Sequence, residues 1–366
     1  MLKVRPTAPR EPTRVTSCRL SRSVKARVQP PCSNLDYMSV AVWSKTQWER
    51  IRRFRLSAEA YRKVTVVALA LIAIIVVTGA AVRLTGSGLG CEDWPNCSSG
   101  EFVGFETPNQ TIEQVNRLFT GLVSVAVIAA VLGSLRRRPY RRDLVWWSAG
   151  LVAGVIGQIV LGGITVLVDL HPAAVGAHFL LSMLLVSDAT ILVWKASHEA
   201  GPTRPRVSPA NLNLSRVAVA TAALLMVTGP IVTGSGPHAG DQKSPRFDLL
   251  IPDVARVHSL NMWLFLIISV ILLLRLGRAK TPSDILRRGY FLLIVILIQG
   301  GIGYTQYELG IPAWLVLAHI AGATLLVGTV LWFHLGLSSV MATDSTATES
   351  PSSLVPGQSE ESLSPT

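Results

Sequence analysis

The run 114–135, QVNRLFTGLVSVAVIAAVLGSL, decides the fold class, because its single charge, Arg117, sits near its start and everything after it is apolar or small. About 20 helical residues cross the hydrocarbon core of a bilayer. Comparable runs occur at 64–82, 144–168, 173–194, 214–233, 254–274, 289–307 and 312–334, so eight transmembrane helices are expected. Of 366 residues, 49% are hydrophobic and only 15% charged, against about 25% charged in ordinary soluble domains. The mean hydropathy of +0.44 agrees. A water-soluble globule is excluded, and the chain reads as an all-α integral membrane protein.

The net charge of +12 is concentrated at one end, since residues 1–63 carry fifteen Lys/Arg and four Asp/Glu, a local charge of +11. Only +1 remains for the rest, so the basicity belongs to a tail and no nucleic-acid partner is expected. Residues 1–37 contain no apolar run of signal-peptide length. Met38 is an alternative start, and the Arg- and Ser-rich segment reads as an over-called start or a cytoplasmic tail in preference to a mitochondrial transit peptide. Segments 136–142, 195–213 and 275–288 hold thirteen basic residues against five in the alternate connections and their helix edges. Positive loops stay cytoplasmic, which places both termini inside a cell membrane. Residues 336–366, rich in Ser, Thr, Glu and Pro towards the end, read as a disordered cytoplasmic tail.

The chain also repeats itself. At a shift of 141 residues, Gln158 falls on Gln299, His178 on His319, and Leu184-Leu185-Val186 on Leu325-Leu326-Val327. At 142, Val115, Asn116 and Leu118 fall on Val257, His258 and Leu260. Thr78-Gly79 followed by Thr85-Gly86-Ser87-Gly88 echoes Thr228-Gly229 followed by Thr233-Gly234-Ser235-Gly236. A duplicated unit of four spans must keep one orientation, so the expectation is a parallel repeat of two four-helix bundles, 64–194 and 214–335, joined by a cytoplasmic linker at 195–213.

Four of the seven histidines need no special role: His171 and His238 fall in external connections, His198 in an internal one, and His334 at the inner end of the last helix. His178, His258 and His319 lie inside apolar helices, where ionisable side chains are rare and face the bundle interior. Counted from the outer helix starts, His258 and His319 share one depth in the second bundle, and Asn116 and His178 share the matching depth in the first. Two neutral imidazoles facing across a four-helix bundle form a natural axial pair for haem iron. The bland alternative is histidines hydrogen-bonded to backbone or to each other, and duplication at matching depth favours the haem reading. Zinc is less well served, with no Cys or further His at ligand spacing. Arg83, Arg117 and Arg256 on the outer side either pair with haem propionates or snorkel to headgroups.

Cys91 and Cys97 flank five residues of the first external loop, on the oxidising side, where a disulfide is expected as a loop staple or a redox-exchange site. Cys18 and Cys32, in the tail, are expected to be reduced.

Thr85-Gly86-Ser87-Gly88-Leu89-Gly90-Cys91, then Asp93-Trp94-Pro95 and Cys97, then Glu113-x-x-Asn116-Arg117, His178, His258 and His319 together resemble the haem A synthase family of the bacterial kind, over about residues 64–335. The resemblance implies haem B as a cofactor in the C-terminal bundle between His258 and His319. It implies haem O as the substrate in the N-terminal bundle at His178, its C8 methyl oxidised to the formyl group of haem A by successive hydroxylations and loss of water. Glu113 corresponds to the family's glutamate three residues before its first histidine position and is the candidate catalytic group. Two departures stand out. Asn116 occupies the position of that first histidine ligand, and the loop 233–253 has no cysteine pair.

A bis-histidine b-type cytochrome that only transfers electrons and a parallel-repeat transporter are the competing readings. An electron carrier would keep both ligand pairs, whereas the first bundle keeps Glu113 one turn from Asn116 instead. A transporter would break its helices near mid-membrane, whereas the Gly-rich stretches 79–90 and 229–240 lie at outer ends. Besides membrane lipid and haem O, expected partners are an electron donor of unspecified identity and, among proteins, haem O synthase or oxidase assembly factors.

Overall fold

Among the described residues there are eight long helices: α1 (Ala58–Leu84), α2 (Pro108–Arg136), α3 (Arg142–Leu167), α4 (Pro172–Ala196), α5 (Pro209–Ser235), α6 (Ile251–Arg278), α7 (Ser283–Glu308) and α8 (Ala313–Gly336). All eight are long and apolar enough to cross a membrane. The computed structural model describes residues 55–341 except Ser99. Met38, Cys18, Cys32 and the rest of the basic segment up to residue 54 lie outside the described residues, as does everything after Met341.

Most helices begin a few residues before their apolar runs, and at some of them capping side chains set the start in polar surroundings. Ser57 accepts from the Ala60 N–H at 3.1 Å, and Ser208 accepts from that of Asn211 at 3.4 Å. Thr107 and Gln110 satisfy each other's backbone N–H in a capping box, closing two donors that the helix start would leave open. The last six residues of the expected tail, 58–63, are therefore the first turns of α1.

Within the first half α1 packs on α2, α2 on α3, α3 on α4 and α4 back on α1. The second half closes in the same order through α5, α6, α7 and α8, and the halves meet where α1 and α4 touch α8 and α4 touches α5. These contacts are compatible with two four-helix units side by side.

Lipid offers no hydrophobic drive between helices, so close packing through small residues takes its place. Along α3, Gly150, Gly154 and Gly157 accept Asp188, Leu185 and Leu181 of antiparallel α4; a Cβ at Gly154 would stand 2.5 Å from Leu185 Cδ2. The outward face of α2 presents Leu118, Leu122, Val125, Ile128 and Leu132, all exposed, the stripe expected towards acyl chains.

One expectation needs adjusting at the linker. Thr203–Pro205 (β1) and Ser338–Val340 (β2) pair antiparallel, with Thr203 opposite Val340 and Pro205 opposite Ser338, and Arg206 N–H donates to Leu337 O at 2.8 Å. In the segment read as disordered, Gly336 thus ends α8 and Ser338–Val340 is strand. Ser338-Ser339-Val340 is three residues long and carries no alternation to read without its partner strand.

Candidate functional site

The second bundle brings His258 of α6 and His319 of α8 together with ring centroids 6.4 Å apart and planes inclined at 69°. His258 Nδ1 lies 2.8 Å from Thr228 Oγ1 of α5, which fixes the ring and leaves its other nitrogen for a ligand role. The His319 Nδ1 is buried with no hydrogen-bond partner. An orphaned buried imidazole nitrogen is costly unless something else occupies it. Glycine makes room for both rings, since a Cβ at Gly303 would stand 3.2 Å from His319 Cε1 and one at Gly229 3.6 Å from His258 Cε1. Metal–imidazole bonds of about 2 Å on each side fit between rings at this separation. Zinc would need a third protein ligand, and among the described residues no group of three or more His, Cys, Asp or Glu gathers.

The first bundle repeats this construction with one side chain changed. Thr78 of α1 stands to Asn116 of α2 as Thr228 stands to His258, with its hydroxyl 2.8 Å from Asn116 Oδ1. Gln158 Nε2 donates to His178 O at 3.1 Å, and Gln299 Nε2 donates to His319 O at 3.0 Å. A Cβ at Gly162 would stand 3.3 Å from His178 Cε1, matching Gly303 beside His319. His178 Nδ1, like that of His319, is buried and unpartnered. The sequence comparison marks Thr78, Thr228, Gln158 and Gln299 only as repeat markers; their bonds to the Asn/His positions make them part of the site. A polar residue recurring at matching depth in both halves was the signal that could have assigned them.

Over the first bundle lies the loop between α1 and α2, closed by a disulfide between Cys91 and Cys97. Glu113 is buried, and both its oxygens are engaged: Oε2 accepts from Cys91 N–H at 2.8 Å, and Oε1 accepts from Arg117 Nη2 at 2.6 Å. Arg117 also donates to Asn96 O at 3.1 Å and to Asp93 O at 3.2 Å. Glu113 and Arg117, one turn apart, thus clamp the loop to α2. The loop in turn lays Trp94 against α3, where a Cβ at Gly163 would stand 2.7 Å from the indole, next to the Gly162 that faces His178. Trp94 was visible in the motif, but nothing in its spacing tied it to Gly163.

The other outer-side arginines have protein partners. Arg83 donates to His238 O at 2.8 Å and to Thr233 O at 3.3 Å, so it braces the first half against the loop after α5. Arg256 is largely exposed and pairs with Asp253 at 3.3 Å. Where the first loop has a disulfide, the loop after α5 is held by that brace, by Gly88 N–H donating to Gly240 O at 3.1 Å, and by His238 Nε2 donating to Ile311 O at 2.8 Å.

The disulfide is worth about 2–3 kcal/mol in the chain-entropy picture for so short a loop. Alkylation without reductant, followed by intact-mass measurement, is expected to modify two fewer thiols than alkylation after reduction. Modification of all four cysteines without reductant would contradict the pairing.

A family model described as cytochrome oxidase assembly protein matches residues 62–103 and 101–240. Among curated relatives, the haem A synthase of Methylobacterium sp. (strain 4-46) is 27% identical, over 71% of this chain and 87% of that protein. The haem A synthase of Methylobacterium radiotolerans is 26% identical, over 71% of this chain and 86% of that protein. That of Bacillus pumilus is 32% identical over 37% of this chain, and the match spans 43% of that protein.

Proposed function

The chain belongs to the haem A synthase family, and from that premise we propose that it makes haem A for terminal oxidases by oxidising the C8 methyl of haem O to a formyl group. Two hydroxylations at that carbon, each with dioxygen as the oxidant, two electrons and two protons from outside the chain and one water released, give a geminal diol, and loss of water leaves the aldehyde. The observation that carries this reading is the duplicated site with one changed side chain: His258/His319 in one half, Asn116/His178 in the other, each braced by a threonine from the preceding helix.

In the second half the two half-buried imidazoles and the glycines beside them suit a resident haem B, which His258 and His319 would hold. When bound there, it supplies one-electron storage near the substrate. In the first half His178 holds the substrate haem. The Asn116 carboxamide oxygen is turned to Thr78, which leaves its NH₂ group as a donor towards the open side of the site. Trp94 and the disulfide loop roof this half. The positive-loop census supports a cell-membrane orientation with both termini cytoplasmic and the loop outside; the electrons come from a donor outside this chain.

Glu113 acts in this reading as a proton-handling or positioning group at the roof of the substrate half. Glu113→Gln removes the charge and keeps a single acceptor oxygen, enough for Cys91 N–H or for Arg117 but not for both. It is expected to retain the second-half haem while haem A output drops by about 10²–10⁴-fold, the usual span for general acid–base groups. Near-normal output would leave Glu113 with the loop-bracing role alone.

The function is tested by expressing the chain in a host that makes haem O but no haem A and extracting the pigments. Haem A in the extract is the expected result. Haem B without any conversion of haem O would instead favour the electron-transferring cytochrome.

A further inference from the structure

Where the two halves meet, α1, α4 and α8 wall a groove of about 730 Å³, within the range of built ligand sites and lined by none of the three intramembrane histidines. Its walls are apolar, among them Ala73, Val77, Val186, Val193 and Leu325. One end reaches Thr78. The other reaches Arg288, Trp332 and His198, at the side of the molecule where the strongly basic connections 136–142, 195–213 and 275–288 lie.

Arg288 is the feature that identifies an occupant. Its guanidinium stacks 4.7 Å over the Trp332 ring and donates once, to Trp332 O at 3.3 Å, while its Nε is buried without a partner. The acid one turn earlier, Asp284, is taken by Arg206 through two bonds of 2.7 and 2.9 Å. A cation with donors to spare, at the mouth of an apolar groove and on the basic side, complements an anion that carries a long apolar chain. An apolar substituent of the substrate entering past Thr78 would bring no acceptor to that guanidinium.

We propose that this groove binds one anionic phospholipid, its phosphate on Arg288 and one acyl chain running between α1, α4 and α8 towards Thr78. The groove touches the first-half site only at Thr78, holds none of its histidines, and its lipid does not depend on the proposed activity.

Native mass spectrometry of the purified holoprotein, titrated with palmitoyl-oleoyl phosphatidylglycerol, tests it. One lipid per chain is expected, with phosphatidylcholine bound about fivefold or more weakly. Arg288→Gln is expected to lose a similar factor, and Arg288→Lys to retain most of the binding. Gly328→Leu, placing a side chain in the groove where the nearest atom to its Cβ is Thr190 Oγ1 at 3.7 Å, should weaken binding of both lipids, with the haem spectrum reporting an intact fold. Equal binding by Arg288→Gln and the unchanged protein would overturn the proposal. So would displacement of the lipid by inorganic phosphate alone, or by haem O, which would make the groove part of the substrate site.

Discussion

His319→Ala is expected to strip the low-spin haem B spectrum from the purified protein, and His258→Ala to do the same. Paired imidazoles impose a strong axial field on iron, and either ring alone leaves one face without its protein ligand. The two rings sit 6.4 Å apart on helices that do not depend on them for capping, so the fold should survive each change. Thr228→Val is a graded control: it removes only the hydrogen bond at His258 Nδ1, and partners of metal-binding histidines are worth about 10–100-fold in affinity. Absorption spectra of the reduced proteins read all three. Unchanged spectra in both histidine variants would remove the ligand assignment.

The second large effect is expected at His178. His178→Ala should leave the low-spin haem B in place and reduce haem A output to background, because the substrate half then lacks its one imidazole. The ring is held by its setting: Gly162 gives it space, and Gln158 bridges the His178 carbonyl to the Ser182 hydroxyl at 2.8 Å. Haem extraction alongside a spectrum of the same sample separates this outcome from misfolding, which would lose both signals. Retained haem A production would place the chemistry elsewhere in the chain.

The membrane class, the eight spans and the matched depth of the histidines were legible because a bilayer permits one solution to a long apolar run, and because duplication shows which polar positions are kept twice. Helix ends were less legible. Ser57, Thr107 and Ser208 start helices through side-chain bonds, and such caps carry no hydropathy. Glu113 and Arg117 were readable as a pair one turn apart, but their grip on Cys91, Asp93 and Asn96 depends on the path of the loop between α1 and α2. The pairing of Thr203–Pro205 with Ser338–Val340 joins segments more than a hundred residues apart, and three-residue strands leave no periodicity to read. Arg288 looked like one more basic residue of a cytoplasmic connection until its packing on Trp332 placed it at the mouth of the groove.

The proposed division of the two halves into one for a resident haem and one for the substrate rests on Asn116 standing where the other half has His258. Its most direct test is the spectrum of the His258→Ala/His319→Ala double variant loaded with haem O, in which the second-half signal is gone. A high-spin or weakly six-coordinate haem that becomes low-spin when Asn116→His is added is the predicted result. A low-spin bis-imidazole spectrum with Asn116 still in place would contradict it.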